Sequence, residues 1–235
     1  MSNIYNDKTY LTKNSSWHEE DASFKAEKII KLLERNSINF ETVAEIGCGS
    51  GEILVVLESH FISVKNFSGF DISRDAISIA KEKETDKINF KVKDISNKTE
   101  NGFYDLLLVI DVIEHIDNYF EFLEGIVAKG RYTVFHIPLD MCLWSLFREK
   151  ILIESKERVG HIHNFTEDFI KDILSCYGFE IIDQVYTEPI YKMSSYKQKI
   201  VNYFRKAAFR INKKFCTKTF GGYSVLLLTK NRSIQ

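Results

Sequence analysis

Val43-Ala44-Glu45-Ile46, then Gly47-Cys48-Gly49-Ser50-Gly51, then Glu52-Ile53-Leu54-Val55-Val56-Leu57, is the stretch on which the fold turns. The first four residues read as a short buried strand. The three glycines make a tight loop, and Ile53, Leu54 and Leu57 recur as on an apolar helix. Glycine lets backbone approach a ligand closely, and the helix that follows offers N–H groups and the positive end of its dipole. The glycine frame decides between ligands. A dinucleotide loop needs G-x-G-x-x-G; here Gly47 and Gly49 fit, but the third position is Glu52. No Lys-Ser/Thr pair follows, which excludes the nucleoside-triphosphate P-loop. What stands is Glu45-x-Gly47-x-Gly49-x-Gly51.

Working outward, strand and helix alternate. A helix carrying Ala26, Ile29, Ile30 and Leu33 precedes the loop. Phe67–Phe70 reads as the second strand, with Ser73 as N-cap of a helix through Ala76, Ile77 and Ala80. Ile88–Val92 and Tyr104–Ile110 are the third and fourth strands, the latter a continuous apolar run as expected of a strand covered on both faces. Asp117 is placed to cap a helix ending near Gly130, and Arg131–Ile137 is the fifth strand. Thr166, Glu167 and Asp168 open a helix that Gly178 ends; Phe179–Tyr186 and Tyr223–Thr229 close the pattern. Such alternation predicts one α/β domain over 1–235, a doubly wound, mainly parallel seven-stranded sheet with helices on both faces. Ligands then bind beyond the carboxyl ends of the strands, where the strand order reverses. Two segments interrupt the alternation, 139–164 and 191–219, and both read as insertions on the acceptor side.

Composition suits this picture. The chain has 235 residues, net charge −1 and four cysteines, Cys48, Cys142, Cys176 and Cys216, that form no CxxC pair. Neither a zinc framework nor a disulfide framework is implied, and reduced thiols suit a cytoplasmic protein. No apolar run is long enough to span a bilayer. Nothing in the overall charge calls for nucleic acid.

At the glycine frame the sequence resembles the class I S-adenosylmethionine (SAM)-dependent methyltransferases, and the resemblance runs from about Thr42 to Thr229. It implies their Rossmann-like fold and SAM as cofactor, with S-adenosylhomocysteine as product. Glu45, Gly47, Cys48, Gly49 and Gly51 match the cofactor loop. Asp71, followed by Ile72, matches the acidic residue that binds the ribose hydroxyls; a carboxylate suits a vicinal diol because it accepts from two donors. Asp94 and Ile95 match the residues that edge the adenine. Ile110-Asp111-Val112 and Glu114-His115 match the stretch after the fourth strand in the small-molecule branch, which includes quinone-biosynthesis enzymes. The Asn/Asp-Pro-Pro-aromatic motif of N6-adenine methyltransferases has no counterpart here.

The segment Asn14–Ala26, with Trp17-His18 and Phe24-Lys25-Ala26, is similar to the N-terminus of bacterial methyltransferases associated with surface-glycan or secondary-metabolite biosynthesis. Residues 1–25 are therefore expected to act as a lid. Trp17 could cover the sulfonium by a cation–π contact and Lys25 could meet the cofactor carboxylate; equally, Trp17 could pack as a staple and Lys25 be solvated.

A hydroxyl acceptor must lose a proton, a task for histidine or a carboxylate. His60 and His136 read as solvated or structural. His115 lies near the expected methyl position, as a base or as a helix-end hydrogen-bonding group. His161 and His163, at i,i+2 on an extended segment, are expected to point the same way. They could form a metal pair, but no third ligand accompanies them, so a base and a substrate contact are expected, and no metal. The 191–219 insertion has nine Lys/Arg and no acidic residue, which leaves the rest of the chain strongly acidic. Ile200, Phe204, Ala207, Ile211 and Phe215 recur along it as the stripe of a single basic amphipathic helix. That helix could dock on an anionic membrane, gather a phosphorylated or nucleotide- or lipid-linked acceptor, or simply pack its stripe on the domain.

The reading that results is a cytoplasmic methyltransferase, peripheral at the inner membrane surface if the basic helix docks there. It would act on a hydroxyl or phosphate-type oxygen of a small molecule in glycan or natural-product biosynthesis. N- or C-methylation of a quinone, lipid or amine, and SAM binding without catalysis, are the alternatives.

Overall fold

The computed structural model describes residues 19–188 and 196–232. Trp17 and His18 lie outside the described residues. In chain order the elements are α1 (Glu19–Arg35), β1 (Thr42–Ile46), α2 (Glu52–His60), β2 (Asn66–Asp71), α3 (Arg74–Ala80), β3 (Ile88–Val92), β4 (Tyr104–Ile110), α4 (Tyr119–Ile126) and β5 (Gly130–Pro138). Then follow α5 (Leu143–Leu146), α6 (Lys150–Val159), α7 (Glu167–Cys176), β6 (Phe179–Thr187), α8 (Tyr196–Ile211), α9 (Lys213–Phe220) and β7 (Ser224–Asn231). The seven strands form one sheet in the order β3-β2-β1-β4-β5-β7-β6. Only β7 runs against its neighbours, so the sheet is mainly parallel as expected.

The two-residue period of strands sorts the core into two layers. On β4, Leu106, Leu108 and Ile110 face a layer with Leu33, Leu54, Phe67 and Phe90. Leu107 and Val109 face the opposite layer, with Ile126, Phe135, Ile170 and Phe179. Because both faces are covered, the strand reads as apolar throughout. The strand order turns back between β1 and β4, and the carboxyl ends of these two strands frame the site.

Local chemistry sets the element ends with some departures from expectation. Ser73 caps α3, its Oγ accepting from the Ala76 N–H at 3.3 Å. Asp117 does not cap α4; a 3₁₀ turn over Ile113–His115 uses up the preceding chain, and Asn118 Oδ1 accepts from the Glu121 N–H at 3.3 Å instead. The basic insertion is two helices rather than one, broken at Asn212, whose Oδ1 accepts from the Phe215 N–H and starts α9. The apolar stripe on α8 is divided, with Ala207 half-buried. Asn202, Arg205 and Phe209 are half-buried, whereas Phe204 and Ile211 face solvent.

Candidate active site

The glycine loop adopts a backbone that only glycine takes easily. Gly47, Gly49 and Gly51 have φ of +73°, +53° and +79°. The turn is drawn in by the Gly47 N–H donating to the Phe70 carbonyl at 2.7 Å. At Gly51 space is closed as well, since a Cβ there would sit 2.4 Å from Phe90 Cζ. The frame G-x-G-x-G thus records three left-handed residues, closely packed at Gly47 and Gly51.

Above this loop opens a cleft of about 640 Å³, within the range of small-ligand sites. Glu45, Gly47, Cys48, Gly49, Asp71, Ile72, Asp94, Ile110 and Asp111 all line it, as does Lys25. Gly51 lies beneath, and Ile95 turns its side chain into the core rather than onto the wall. Asp71 Oδ2 accepts from the Gly49 N–H at 2.9 Å and Oδ1 from the Ser73 N–H at 2.8 Å, which fixes the carboxylate at the cleft wall. Burial raises the Asp71 pKa against these two donors.

Glu45 is buried, with Oε2 lacking a hydrogen-bond partner. Burial, then the Asp71 charge, pushes its carboxyl well above the usual range. A buried acceptor left open costs free energy unless something fills it. SAM presents an ammonium and a ribose diol, the two kinds of donor that Glu45 and Asp71 lack, so the residues fit the cofactor.

Lys25 reaches the cleft from α1, but its ammonium meets Asp111 Oδ2 at 2.6 Å rather than standing open to a cofactor carboxylate. Asp111 Oδ1 accepts from His136 Nδ1, and His136 Nε2 meets Thr187 Oγ1 at 2.7 Å. Burial opposes ionisation of Asp111, yet His136 and Lys25 together outweigh it and hold the carboxyl well below the usual range. The structural reading of His136 is therefore met: it braces the residue that ends β4, where Asp111 takes a left-handed φ of +54°.

The third group of residues lies beyond β4 and β5. His115 Nδ1 donates to the Gly160 carbonyl at 3.0 Å. Burial, then opposed by that hydrogen bond, brings its pKa down to about 4. His161 Nδ1 meets Asp140 Oδ2 at 2.7 Å, and the His115 and His161 rings stand edge to face at 5.0 Å. His163 goes elsewhere: its Nε2 donates to the Ile116 carbonyl at 2.9 Å and its ring packs on Tyr119. The i,i+2 histidines therefore do not point the same way. The Ile162 and His163 N–H groups both donate to the Glu114 carbonyl, at 2.9 and 3.1 Å.

One donor atom from each of Glu114, His115 and His161 lies within 4.8 Å of the others. Glu114 is fully buried with neither Oε hydrogen-bonded, and burial followed by the Asp111 charge raises its pKa well above the usual carboxylate value. Glu114 and Asp140 were outside the expected site. Asp140 carried one signal, its place just past the carboxyl end of β5.

A family model described as "Methyltransferase domain" matches residues 17–184, most of the chain. The chain belongs to this family. The fold and glycine frame are those of the SAM-dependent methyltransferases, and SAM is the cofactor that the cleft fits. The mitochondrial ubiquinone biosynthesis O-methyltransferase of Saccharomyces cerevisiae is 34% identical over 114 residues, 44% of this chain and 36% of that protein. The chain thus spans well under two thirds of such relatives' length. Among solved structures, magnesium protoporphyrin IX methyltransferase from Synechocystis PCC 6803, with S-adenosylhomocysteine bound, aligns over 89% of this chain and 83% of its own. Its TM-score is 0.61 at 16% identity. N-methyltransferase NodS from Bradyrhizobium japonicum aligns over 96% and 99%, with TM-score 0.59 at 16% identity. At such identity these two structures establish a shared fold.

Proposed function

We propose that this methyltransferase transfers a methyl group from SAM to a hydroxyl oxygen of a small molecule, with the acceptor oxygen held on a divalent cation at Glu114, His115 and His161. The observation that carries the reading is the buried Glu114 carboxyl, open on both oxygens between two imidazoles. Each imidazole has its Nδ1 engaged, by the Gly160 carbonyl or by Asp140, which is how metal-ligating histidines are oriented through the second nitrogen. A mixed imidazole and carboxylate set suits Zn²⁺, Mn²⁺ or Fe²⁺. A cation there would supply Lewis acidity to lower the pKa of a bound hydroxyl.

SAM, when bound, supplies a methyl group on a sulfonium that is already a strong electrophile. The chain's task is then to position it. Asp71 is placed for the ribose diol and Glu45 for a buried donor, while Asp94 flanks the expected adenine end. Lys25 and Asp111 tie α1 to the end of β4, which supports residues 1–25 as a lid over this cleft. Deletion of residues 1–21 should weaken S-adenosylhomocysteine binding about tenfold by calorimetry; unchanged affinity would remove the lid.

The ubiquinone O-methyltransferase relatives favour an oxygen acceptor on a ring or sugar. The basic α8–α9 segment favours one linked to phosphate, nucleotide or lipid, as in glycan or natural-product assembly. The second reading needs no cation. Asp140 and His161 form a carboxylate–imidazole pair of the kind that takes a proton from a hydroxyl, and their 2.7 Å contact supports it.

His161→Ala should lower turnover about 100-fold or more, about 2.7 kcal/mol of transition-state stabilisation, while leaving cofactor affinity in place. His163→Ala should cost less than tenfold, since its ring nitrogen is spent on a backbone carbonyl. Chelator treatment followed by Mn²⁺ distinguishes the two readings. Activity lost to the chelator and restored by the ion supports the cation; activity indifferent to the chelator supports the proton-accepting pair. Equal loss in the two histidine variants would contradict both.

A further inference from the structure

The two insertions meet. Helix α5 packs against α9, and Cys142 at the start of α5 lies against Gly221 just after α9. Helix α9 is joined to α8 through the Cys216 thiol, which donates to the Arg205 carbonyl. Together they display large apolar side chains to solvent. Leu143, Trp144, Leu146 and Phe147 are exposed around α5, Phe147 at 80%. Phe204 and Ile211 are exposed on α8, Ile211 at 86%, and Phe215 on α9.

On α8 this exposure is a matter of orientation. Residues 204, 207 and 211 share one helical face, on which Phe204 and Ile211 are exposed and Ala207 is half-buried; Asn202, Arg205 and Phe209, on the opposite face, are half-buried. A helix that only packed on its domain would bury its large apolar side chains. This one turns Phe204 and Ile211 outward, with Lys206 and Arg210 along one flank. Lys214 and Lys218 already meet Asp168, and Lys206 meets Glu188. The outward positive charge rests on Arg210 and Lys213, with Arg148, whose guanidinium lies 5.6 Å from the Trp144 ring.

We propose that α5, α8 and α9 form one docking face for an anionic lipid bilayer. Apolar side chains flanked by Lys and Arg, with a Trp among them, match the chemistry of the bilayer interface: a buried apolar face, cations at the headgroups, and an indole at the boundary. Leu143, Leu146 and Ile211 offer nothing to a stacked base, which favours lipid over RNA. Large apolar side chains exposed together on packed helices mark an interaction site. The face adjoins Asp140, so a docked protein would hold the acceptor end of its cleft near the membrane. The docking itself rests only on this surface and stands apart from the reaction chemistry.

The test is co-sedimentation of the full chain with phosphatidylglycerol vesicles and with phosphatidylcholine vesicles, at low salt and at about 0.15 M salt. Binding should be confined to the anionic vesicles and weaken as salt rises. The double variants Phe204→Ser/Ile211→Ser and Trp144→Ser/Phe147→Ser should each bind at least tenfold more weakly, while S-adenosylhomocysteine affinity stays unchanged. That unchanged affinity separates lost docking from lost folding. Because all four side chains are exposed, thermal unfolding should be little altered. Failure of the wild-type chain to bind phosphatidylglycerol vesicles at low salt would overturn the proposal. So would a monomer–dimer equilibrium abolished by the same variants, which would make a second copy the occupant, or preferential binding of RNA over vesicles.

Discussion

Glu114→Gln should make the protein more stable and nearly inactive. The amide keeps the shape of the side chain and removes a carboxyl that has no partner on either oxygen. Burying an ionisable group without compensation is unfavourable, and replacing it by a neutral isostere relieves that cost. A gain of about 1 kcal/mol raises the melting temperature of a chain this size by about 2–4 °C. The same change removes the anionic ligand of the proposed cation site, and a loss of about 10²–10³ in kcat follows, about 3–4 kcal/mol. Affinity for S-adenosylhomocysteine should hold, because Glu114 lies past β4 and away from the glycine loop. Opposite movements of stability and activity are what a functional residue kept at the expense of the fold produces. A destabilised but active variant would instead make Glu114 an ordinary core residue.

Gly51→Ala should weaken both the fold and the cofactor site. Its φ of +79° disfavours any side chain by about 1–2 kcal/mol. The new Cβ would meet the Phe90 ring at 2.4 Å, and Phe90 is 1% exposed in a packed layer, so it has nowhere to go without moving its neighbours. Overpacking of this sort adds about 1–3 kcal/mol. The melting temperature should fall by about 5–15 °C. The loop between β1 and α2 must shift to make room, and S-adenosylhomocysteine binding should weaken more than tenfold in calorimetry. Cysteine at the neighbouring position 48 makes no such demand, and Cys48→Ser should be far milder on both measures.

The parts of this molecule legible in its sequence are those fixed by local chemistry. Ser73 as a cap, the alternating core of β4 and the run of left-handed glycines each depend on residues within a turn or two. Asp71 followed because it ends the strand next to the loop. The cluster at Glu114 was not legible as a unit, because its members come from two places: Glu114 and His115 from the turn after β4, and His161 from the approach to α7, with Asp140 after β5 hydrogen-bonded to His161. The hydrogen bonds from the Ile162 and His163 N–H groups to the Glu114 carbonyl join the two segments. The expected same-side pairing of His161 and His163 assumed a strand, but residues 161–166 form none and the two rings take different partners. In α8 the sequence left the orientation open, since period alone does not say whether an apolar stripe faces the domain or something outside it. Asn118 displaced Asp117 as a cap for a smaller reason: a 3₁₀ turn shifted the helix start by one residue.

The most direct test of the account is a crystal structure of the protein with S-adenosylhomocysteine and Mn²⁺, using anomalous scattering to locate the ion. The cofactor product should lie over Gly47–Gly51 with its ribose at Asp71. A manganese peak should appear among Glu114, His115 and His161, with the open side of the ion toward the cleft. Product seated in the cleft with no ion at that cluster, and manganese bound only elsewhere, would contradict it.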